Sequence, residues 1–592
     1  MTTKTIHHRF SLSALAAVAL AAAILATATT AVAATAVAAE APLLTATGRE
    51  YPLISAGAGK KDIRVTLSAT LSANLRAVNL RAEVRAYNVN ADIAPKILST
   101  TTTPIPAAAH TTAAHTTAAP AAAAAAADTR DLTLTIDLPR LGLYDLTLTA
   151  LDAADAPVAT LNIPCAAVPP RTETGPSDFG VATHFGHGPT RNDLESIPAT
   201  LALVKLAGFS RIRDEVSWET IERTPGAFAF GPHHDAWIRQ TAAHGLAPLV
   251  VLDYGNARAY PDAFKGGKGF PETPEARARF VRYATELHKR YGAHVHHWEV
   301  WNEPHAWGKP TTENYTLLLK DVYAAIKKLA PQDTIIGAGG GGAGGGPGGD
   351  YATAIIRHGG LDSMDAFSIH PYMTPPCTPD TGYGAAGSPI GRVSIPRISQ
   401  HLGNFVKNPR NTRTDGRQLG LWITEYGAYT SPVGMVQGNP FQALYLTRAY
   451  LLARRYGTIN VLVWYDFRDD GANPQNPEHN FGIIRRDYAP KPAYVAAATL
   501  THTLGDRPWK RAIMENATAA IHEYGGGGND DDDTVIAGWS IQSLYHETIT
   551  IRPLPGKYTL RGWQGDEQTI EIGDKGYPWK IRPLPQYLIR QK

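Results

Sequence analysis

The sequence predicts an α/β chain in which a (β/α)8 barrel is flanked by an N-terminal β-sandwich and a small C-terminal β-sandwich. Three observations carry that reading. From residue 179 onward, short apolar strands alternate with amphipathic helices at a spacing of about 40 residues. On both sides of this region the pattern changes to period two, rich in Thr and Val, as antiparallel sheets read. At 592 residues the chain is also too long for one ordinary core.

The chain opens with a basic head (Lys4, Arg9), an apolar stretch over 12–26 and small-residue A-x-A sites at 31–33 and 36–38. This is the layout of a secretory signal peptide, expected over 1–39. The apolar run is short for a spanning helix, and no later segment is apolar enough to cross a bilayer. A secreted or periplasmic protein without a membrane span after signal removal is expected. Residues 42–170 alternate in runs such as DIRVTLSA, LRAEVRAYNV, DLTLTIDL and YDLTLTALD, the N-terminal sandwich. Within them, the low-complexity stretch 100–128 is expected to be a flexible loop, and 168–178 a linker.

The barrel is expected over 176–504, with strands FGVATH (179–184), SRIRDE (210–215), APLVVLDY (247–254), HVHHWEVWNE (294–303), TIIGA (334–338), DAFSIHPY (365–372), GLWITEY (420–426) and NVLVWYD (460–466). Two of the intervening helices read clearly. Phe280, Tyr283, Ala284, Leu287 and Tyr291 form one apolar stripe before Gly292. Tyr315, Leu318, Leu319, Val322, Ile326 and Leu329 form another before Pro331. An open doubly wound sheet is the structural alternative, but the Gly-rich phosphate turn usual after its first strand is missing. The run GAGGGGAGGGPGGD (337–350) lacks the Lys-Ser/Thr ending of a phosphate loop and reads as a mobile loop on the barrel's upper face. Period-two runs return over 506–592, with GGGGNDDDD (525–533) as a hairpin tip; a solvated turn explains those aspartates better than calcium.

Composition narrows the partners. Lys plus Arg number 56 against 53 Asp plus Glu, a net charge of +3, and no basic run points to nucleic acid. Cys165 and Cys377 allow one disulfide but fall in different predicted domains, so no bridge is expected. No Cys/His cluster has ligand spacing, and His296–His297 are adjacent strand residues that face opposite ways. Neither a metal nor an organic cofactor is implied. The 11 Trp and 25 Tyr permit sugar stacking without requiring it.

In a (β/α)8 barrel the carboxyl ends of the strands share one mouth. Gathered there are Arg213, Asp253, Tyr254, Asn302, Glu303, His370, Tyr372, Glu425 and Trp464, with His184 and His187 after the first strand. Two glutamates on strands four and seven, ringed by a cation, a phenol, an imidazole, an amide and an indole, are what glycoside hydrolysis uses. One protonates the departing oxygen and the other meets the developing cation; at about 5–5.5 Å separation the second attacks directly. Glu303, set among aromatic residues, is expected to hold its proton, and Glu425 to stay ionised beside Arg213 and Tyr372. Alternation puts Glu303, Trp301, Glu299 and His297 on one side of the fourth strand. Glu299 is thus expected inside the barrel, paired with a basic residue of the RIR segment. Asn302 has the wrong parity for the mouth and needs a bend before Pro304.

WEVWNEPH (298–305) with WITEYG (422–427) resembles the paired signature of clan A glycoside hydrolases, retaining enzymes on the TIM barrel. RIRDEVSWETIERTPGAFAF (211–230), DAFSIHPY (365–372) and FGIIRRDYAPKPAYVAA (481–497) agree, so the resemblance spans roughly 179–500. It is most similar to family 39, with family 5 next. The resemblance implies Glu303 as acid/base, Glu425 as nucleophile, Asn302 on the sugar 2-hydroxyl and Tyr372 on the nucleophile. It further implies Arg213 below Glu425, Trp464 as the floor under the attacked sugar, and His370 as a sugar contact or a support behind one. Asp253-Tyr254 replaces the His-Asn of some clan members, so their sugar preference does not transfer.

The expected activity is retaining hydrolysis of O-glycosidic bonds, β-linked, in an oligo- or polysaccharide. A non-catalytic glycan-binding barrel should lack one of the two glutamates, and both are present. A transglycosylase shares the covalent step, and the sequence does not separate it from a hydrolase. The N-terminal sandwich reads as a brace more than a glycan-binding module, because no aromatic row is evident in it. Sugar identity, linkage, endo or exo action and oligomeric state are not encoded in any pattern found here.

Overall fold

A computed structural model describes residues 44–47, 54–56, 63–72, 79–87, 97–105, 129–171, 173–190, 194–264, 266, 268–340, 349–372, 377–381, 394–432, 439–525, 533–541 and 547–591. The expected signal peptide lies outside the described residues, as do most of the 337–350 glycine run and the acidic tip after Gly525. Among the described residues no helix is long and apolar enough to cross a membrane.

Two N-terminal sheets face one another. One has three antiparallel strands, Leu44–Thr47, Ile63–Ser72 and Thr129–Leu138; the other runs Ile54–Ala56, Pro157–Val168, Gly142–Leu151, Asn79–Ala86 and Ile97–Pro104. Every second residue of Asn79–Val84 is buried, so Leu80 and Val84 join Leu146, Leu148 and Ile163 against Ile136 and Leu138 of the opposite sheet. The low-complexity reading was too broad: residues 100–104 belong to the strand Ile97–Pro104, whose Thr-rich run pairs with Asn79–Arg85. Residues 106–128 lie outside the described residues. Cys165 and Cys377 are both buried and free.

The barrel closes on eight parallel strands: Phe179–Ala182, Arg211–Glu215, Ala247–Leu252, His297–Val300, Thr334–Gly337, Ala366–Ile369, Gly420–Tyr426 and Val461–Trp464. All eight fall within the segments read from the sequence. Ala182, Leu249, Ile336, Ala366, Trp422, Val461 and Val463 fill its interior as a cluster of their own, while the alternate residues join the larger core under the helices. Helix Pro274–Tyr291, capped by Thr273, buries the stripe from Phe280 to Tyr291. Helix Thr312–Leu329, capped by Thr311, buries Tyr315, Leu318, Leu319, Val322 and Ile326; Leu329, at its last turn, is exposed instead.

The C-terminal region forms a six-stranded antiparallel sheet and a two-stranded one, Glu547–Ile551 with Tyr577–Ile581. Trp509–Glu515, Tyr577–Ile581 and Gln586–Arg590 are strands that period-two reading did not pick out. Trp539 and Arg448 both bond Asp380, which ties this sheet to the barrel helix Asn439–Tyr456.

Candidate active site

The mouth is built upward from one buried carboxylate. Glu299, fully buried at the end of the regular fourth strand, accepts hydrogen bonds from Arg213 Nε (2.7 Å), Ser368 Oγ (2.6 Å) and Thr424 Oγ1 (2.7 Å). This is the pairing with the RIR segment that alternation predicts. Burial alone would raise the Glu299 carboxyl, but the charges of Arg213 and His370 and these bonds hold it below its ordinary value. Arg213 uses its two terminal nitrogens one layer higher, Nη1 on Glu425 Oε1 at 2.7 Å and Nη2 on Asn302 Oδ1 at 2.8 Å.

Glu425 reaches that layer because the strand register slips. Trp422 and Thr424 face inward, so strict alternation would send Glu425 out into the helices. The pairing with the eighth strand shifts between Ile423 and Tyr426, and Glu425 turns inward beside Thr424. Tyr372 Oη donates to Glu425 Oε2 at 2.8 Å. On the facing wall the fourth strand also leaves its pattern. Trp301 and Glu303 have φ of +69° and +44°. This is the bend that Asn302 requires, and it brings Asn302 and Glu303 both to the mouth. Alternation predicted Trp301 on the side of Glu303; it is instead buried against Phe270 and Phe280 beneath the helices. Gly339 and Gly340, at φ +51° and +75°, fit under this bend: a Cβ on Gly339 would lie 2.4 Å from Trp301 O, and one on Gly340 2.4 Å from the His370 ring.

His370 stands between the two glutamates. Its Nδ1 lies 3.1 Å from Glu303 Oε1 and 3.5 Å from Glu425 Oε2, and carboxylate oxygens of both glutamates and a His370 nitrogen all fall within 4.8 Å of one another. Its side chain has no exposed surface. Of the two roles expected of His370, this burial excludes the sugar contact and leaves the support: it touches the carboxylates from behind. The expectation for Glu303 changes too. Burial raises its carboxyl, but the bond to His370 and the charges of His370, His305 and Arg213 outweigh it and hold Glu303 below its ordinary range. Trp301, which the aromatic setting assumed for it included, faces away.

The other predicted residues divide. Asn302, Tyr254, Asp253 and His184 line one cleft of about 740 Å³ with Glu303, Tyr372 and Glu425. Asn302 Nδ2 donates to Tyr254 Oη at 2.9 Å. Asp253 is buried, and burial plus the neighbouring Glu215 push its carboxyl well up. Trp464 is a correction: it is fully buried, outside the cleft, edge-on to Tyr426. Val461 and Val463 point into the barrel, so parity turns Trp464 outward and gives the mouth to Tyr465. Alternation could have found Tyr465. No sequence pattern pointed to Trp307, Lys268 or Glu215, which also line the cleft from loops and a strand end.

His184 Nδ1 bonds Asp470 Oδ1 at 2.7 Å and lies 3.5 Å from Asp466 Oδ2. These three side chains also offer ligand atoms within 4.8 Å of each other. Burial would lower the imidazole, but the Asp470 bond and the charges of Asp470, Asp466 and Asp214 push it up to about 9. The short bond and the surrounding carboxylates make the trio an ion-paired cluster.

A family 39 glycoside hydrolase from the gut symbiont Bacteroides cellulosilyticus WH2 is similar over 92% of this chain and 99% of its own, at 31% sequence identity and a TM-score of 0.75. The chain belongs to glycoside hydrolase family 39. More distant is a family 39 β-xylosidase from Caulobacter crescentus, 17% identical over 71% of this chain and 97% of its own, with a TM-score of 0.47. A GH30 endoxylanase from Clostridium papyrosolvens C71 is 11% identical over 71% of this chain and 98% of its own, also at 0.47. No protein-family model and no curated protein matches the chain. This family 39 protein is a glycosidase, and two carboxylates this close match the retaining class, since inverting pairs stand about 6.5–9.5 Å apart.

The His184 cluster makes a pH prediction. With a folded-state value near 9 against 6.5 unfolded, its contribution is fully present below pH 6.5 and is lost as pH rises through 9. Urea unfolding of the wild type should lose about 3 kcal/mol more than His184→Gln between pH 6 and pH 9.5. Parallel profiles for the two proteins would contradict the assignment.

Proposed function

We propose that this protein is an exported family 39 enzyme that hydrolyses β-linked oligo- or polysaccharide, with Glu425 as nucleophile and Glu303 as acid/base. The observation that carries the reading is the pair of carboxylates within 4.8 Å across the mouth, of which only Glu425 is bonded by both Arg213 and Tyr372. A carboxylate held by a guanidinium and a phenol is fixed and aimed, as an attacking group must be. The leader pattern of residues 1–39 supports export; a mature N-terminus after Ala38 or Ala33 in the culture medium tests it, and an intact Met1 in the cytosol counts against it.

The proton for the first step has a definable home. Glu299 is an ionised acceptor, so Thr424 Oγ1 must donate to it and can only accept from His370 Nε2, 3.0 Å away. With Nε2 carrying hydrogen, the 3.1 Å contact between His370 Nδ1 and Glu303 Oε1 needs one further proton, held between them. In the open cleft the charges favour the ionised Glu303. A sugar laid over Glu303 excludes water, and the nearby Glu425 charge then favours moving the shared proton onto Glu303. Glu425 attacks the anomeric carbon, the bond to the leaving oxygen breaks, and Glu303 supplies the proton to that oxygen. Esterification removes the Glu425 charge, so Glu303 is left ionised. It takes a proton from water, which attacks the anomeric carbon and frees Glu425.

Glu425→Gln should lose nearly all turnover on every β-glycoside. Glu303→Gln should lose about 10³-fold on glycosides with poor leaving groups and far less on 4-nitrophenyl glycosides, which depart without a proton. His370→Asn should show the same dependence on leaving group at smaller size. The first product seen by NMR should carry the substrate's anomeric configuration. Equal losses on both kinds of leaving group in Glu303→Gln, or an inverted first product, would end the assignment.

A further inference from the structure

Resting on that reading, we propose that the leaving-group end of the cleft recognises a sugar bearing an anionic group, a carboxylate or sulfate, through Lys268 held above the rings of Trp307 and Tyr254. Glu303 must face the leaving oxygen, so the sugar that departs lies beyond it, on the side away from Glu425. Trp307, four residues past Glu303, lines the cleft beside it. Its N–H and that of Ala306 both bond Glu303 O at 2.8 Å, and Trp301 Nε1 donates to Trp307 O at 3.0 Å, so the Trp307 backbone is fixed one turn past the acid. Tyr254, bonded to Asn302, forms the adjoining wall. The Lys268 ammonium sits 3.5 Å from the Trp307 ring centroid and 4.8 Å from that of Tyr254, and all three residues line the catalytic cleft.

The cation distinguishes this end of the cleft. Among the described residues Arg213 is the other lysine or arginine lining it, and its charge is spent on Glu299 and Glu425. The lining histidines, His184 and His187, are each set against carboxylates. Among the described residues no carboxylate pairs with Lys268 within 4 Å. An indole with an ammonium already over its face is poorly suited to stacking a neutral sugar, whereas an anion arriving above it gains the charge and keeps the ring contact. The substrate this arrangement fits carries an acidic sugar as its leaving group.

The test uses β-linked disaccharides that share a non-reducing xylose, glucose or galactose and end in glucose, glucuronate or glucose 6-sulfate. Binding to the Glu425→Gln protein is measured by calorimetry at low salt. At least one acidic end should bind about tenfold tighter than the glucose end. Adding Lys268→Met should bring the ratio near one, and Lys268→Arg should keep most of it. The glucuronate and sulfate arms tell which anion is preferred. Equal affinities for acidic and neutral ends, a preference that survives Lys268→Met, or no binding of any acidic-ended disaccharide overturns the proposal. Hydrolysis of the same compounds by the wild type is read separately: turnover without preference overturns the subsite but not the reaction. Lys268-dependent binding of acidic ends without turnover overturns the reaction and leaves the subsite standing.

Discussion

The site hangs on the three bonds of one guanidinium. Arg213 joins Glu299 inside the barrel, Glu425 on the seventh strand and Asn302 beyond the fourth, all at 2.7–2.8 Å. Its planar fork fixes the angles among these partners, which a lysine's point charge could not do. Both glutamates are nearly removed from water, and a buried charge costs several kcal/mol unless it is paired and hydrogen-bonded. Glu299 looks idle by this measure, yet it is what lets Arg213 sit buried with a counter-charge below while Glu425 remains available above. The carboxylate that reacts is held in place by one that does not.

The same layer sets the direction of the proton. Glu299 compels Thr424 to donate downward, Thr424 compels His370 to present Nε2–H, and His370 Nδ1 meets Glu303. A chain of four groups thereby links the barrel interior to the rim. Two glutamates of the same type acquire different work because one is bonded to Arg213 and Tyr372 and the other shares a proton with an imidazole.

Much of this was legible in the sequence, and the failures share a cause. Each barrel strand declared itself through a short apolar run, and Glu303, Glu425, Arg213 and Tyr372 lie where motif and strand-end reasoning put them. Period two also placed Glu299 correctly. It failed at Trp301, where the backbone turns to positive φ, and it would have failed at Glu425, where a register shift reverses the face. These departures lie at the mouth, where regular pleating gives way to the geometry the chemistry needs. Trp464 is the opposite case: there alternation holds, and the family pattern was applied one residue too early. Lys268 and Trp307 come from loops whose course depends on packing against Trp301 and Phe270, a tertiary fact with no local signature. The acidity of Glu303 was misjudged because a count of neighbouring tryptophans in sequence does not say which way their rings point.

The claim on which everything else rests is that Glu425 attacks the anomeric carbon. Trapping with 2-deoxy-2-fluoro β-glycosides bearing a good leaving group, followed by peptide mass spectrometry, tests it directly, because the fluorine slows release of the covalent intermediate. The account predicts a single added sugar on the peptide containing Glu425, absent from Glu425→Gln. A label on Glu303 or another carboxylate, or rapid turnover that leaves the protein unlabelled, would contradict it.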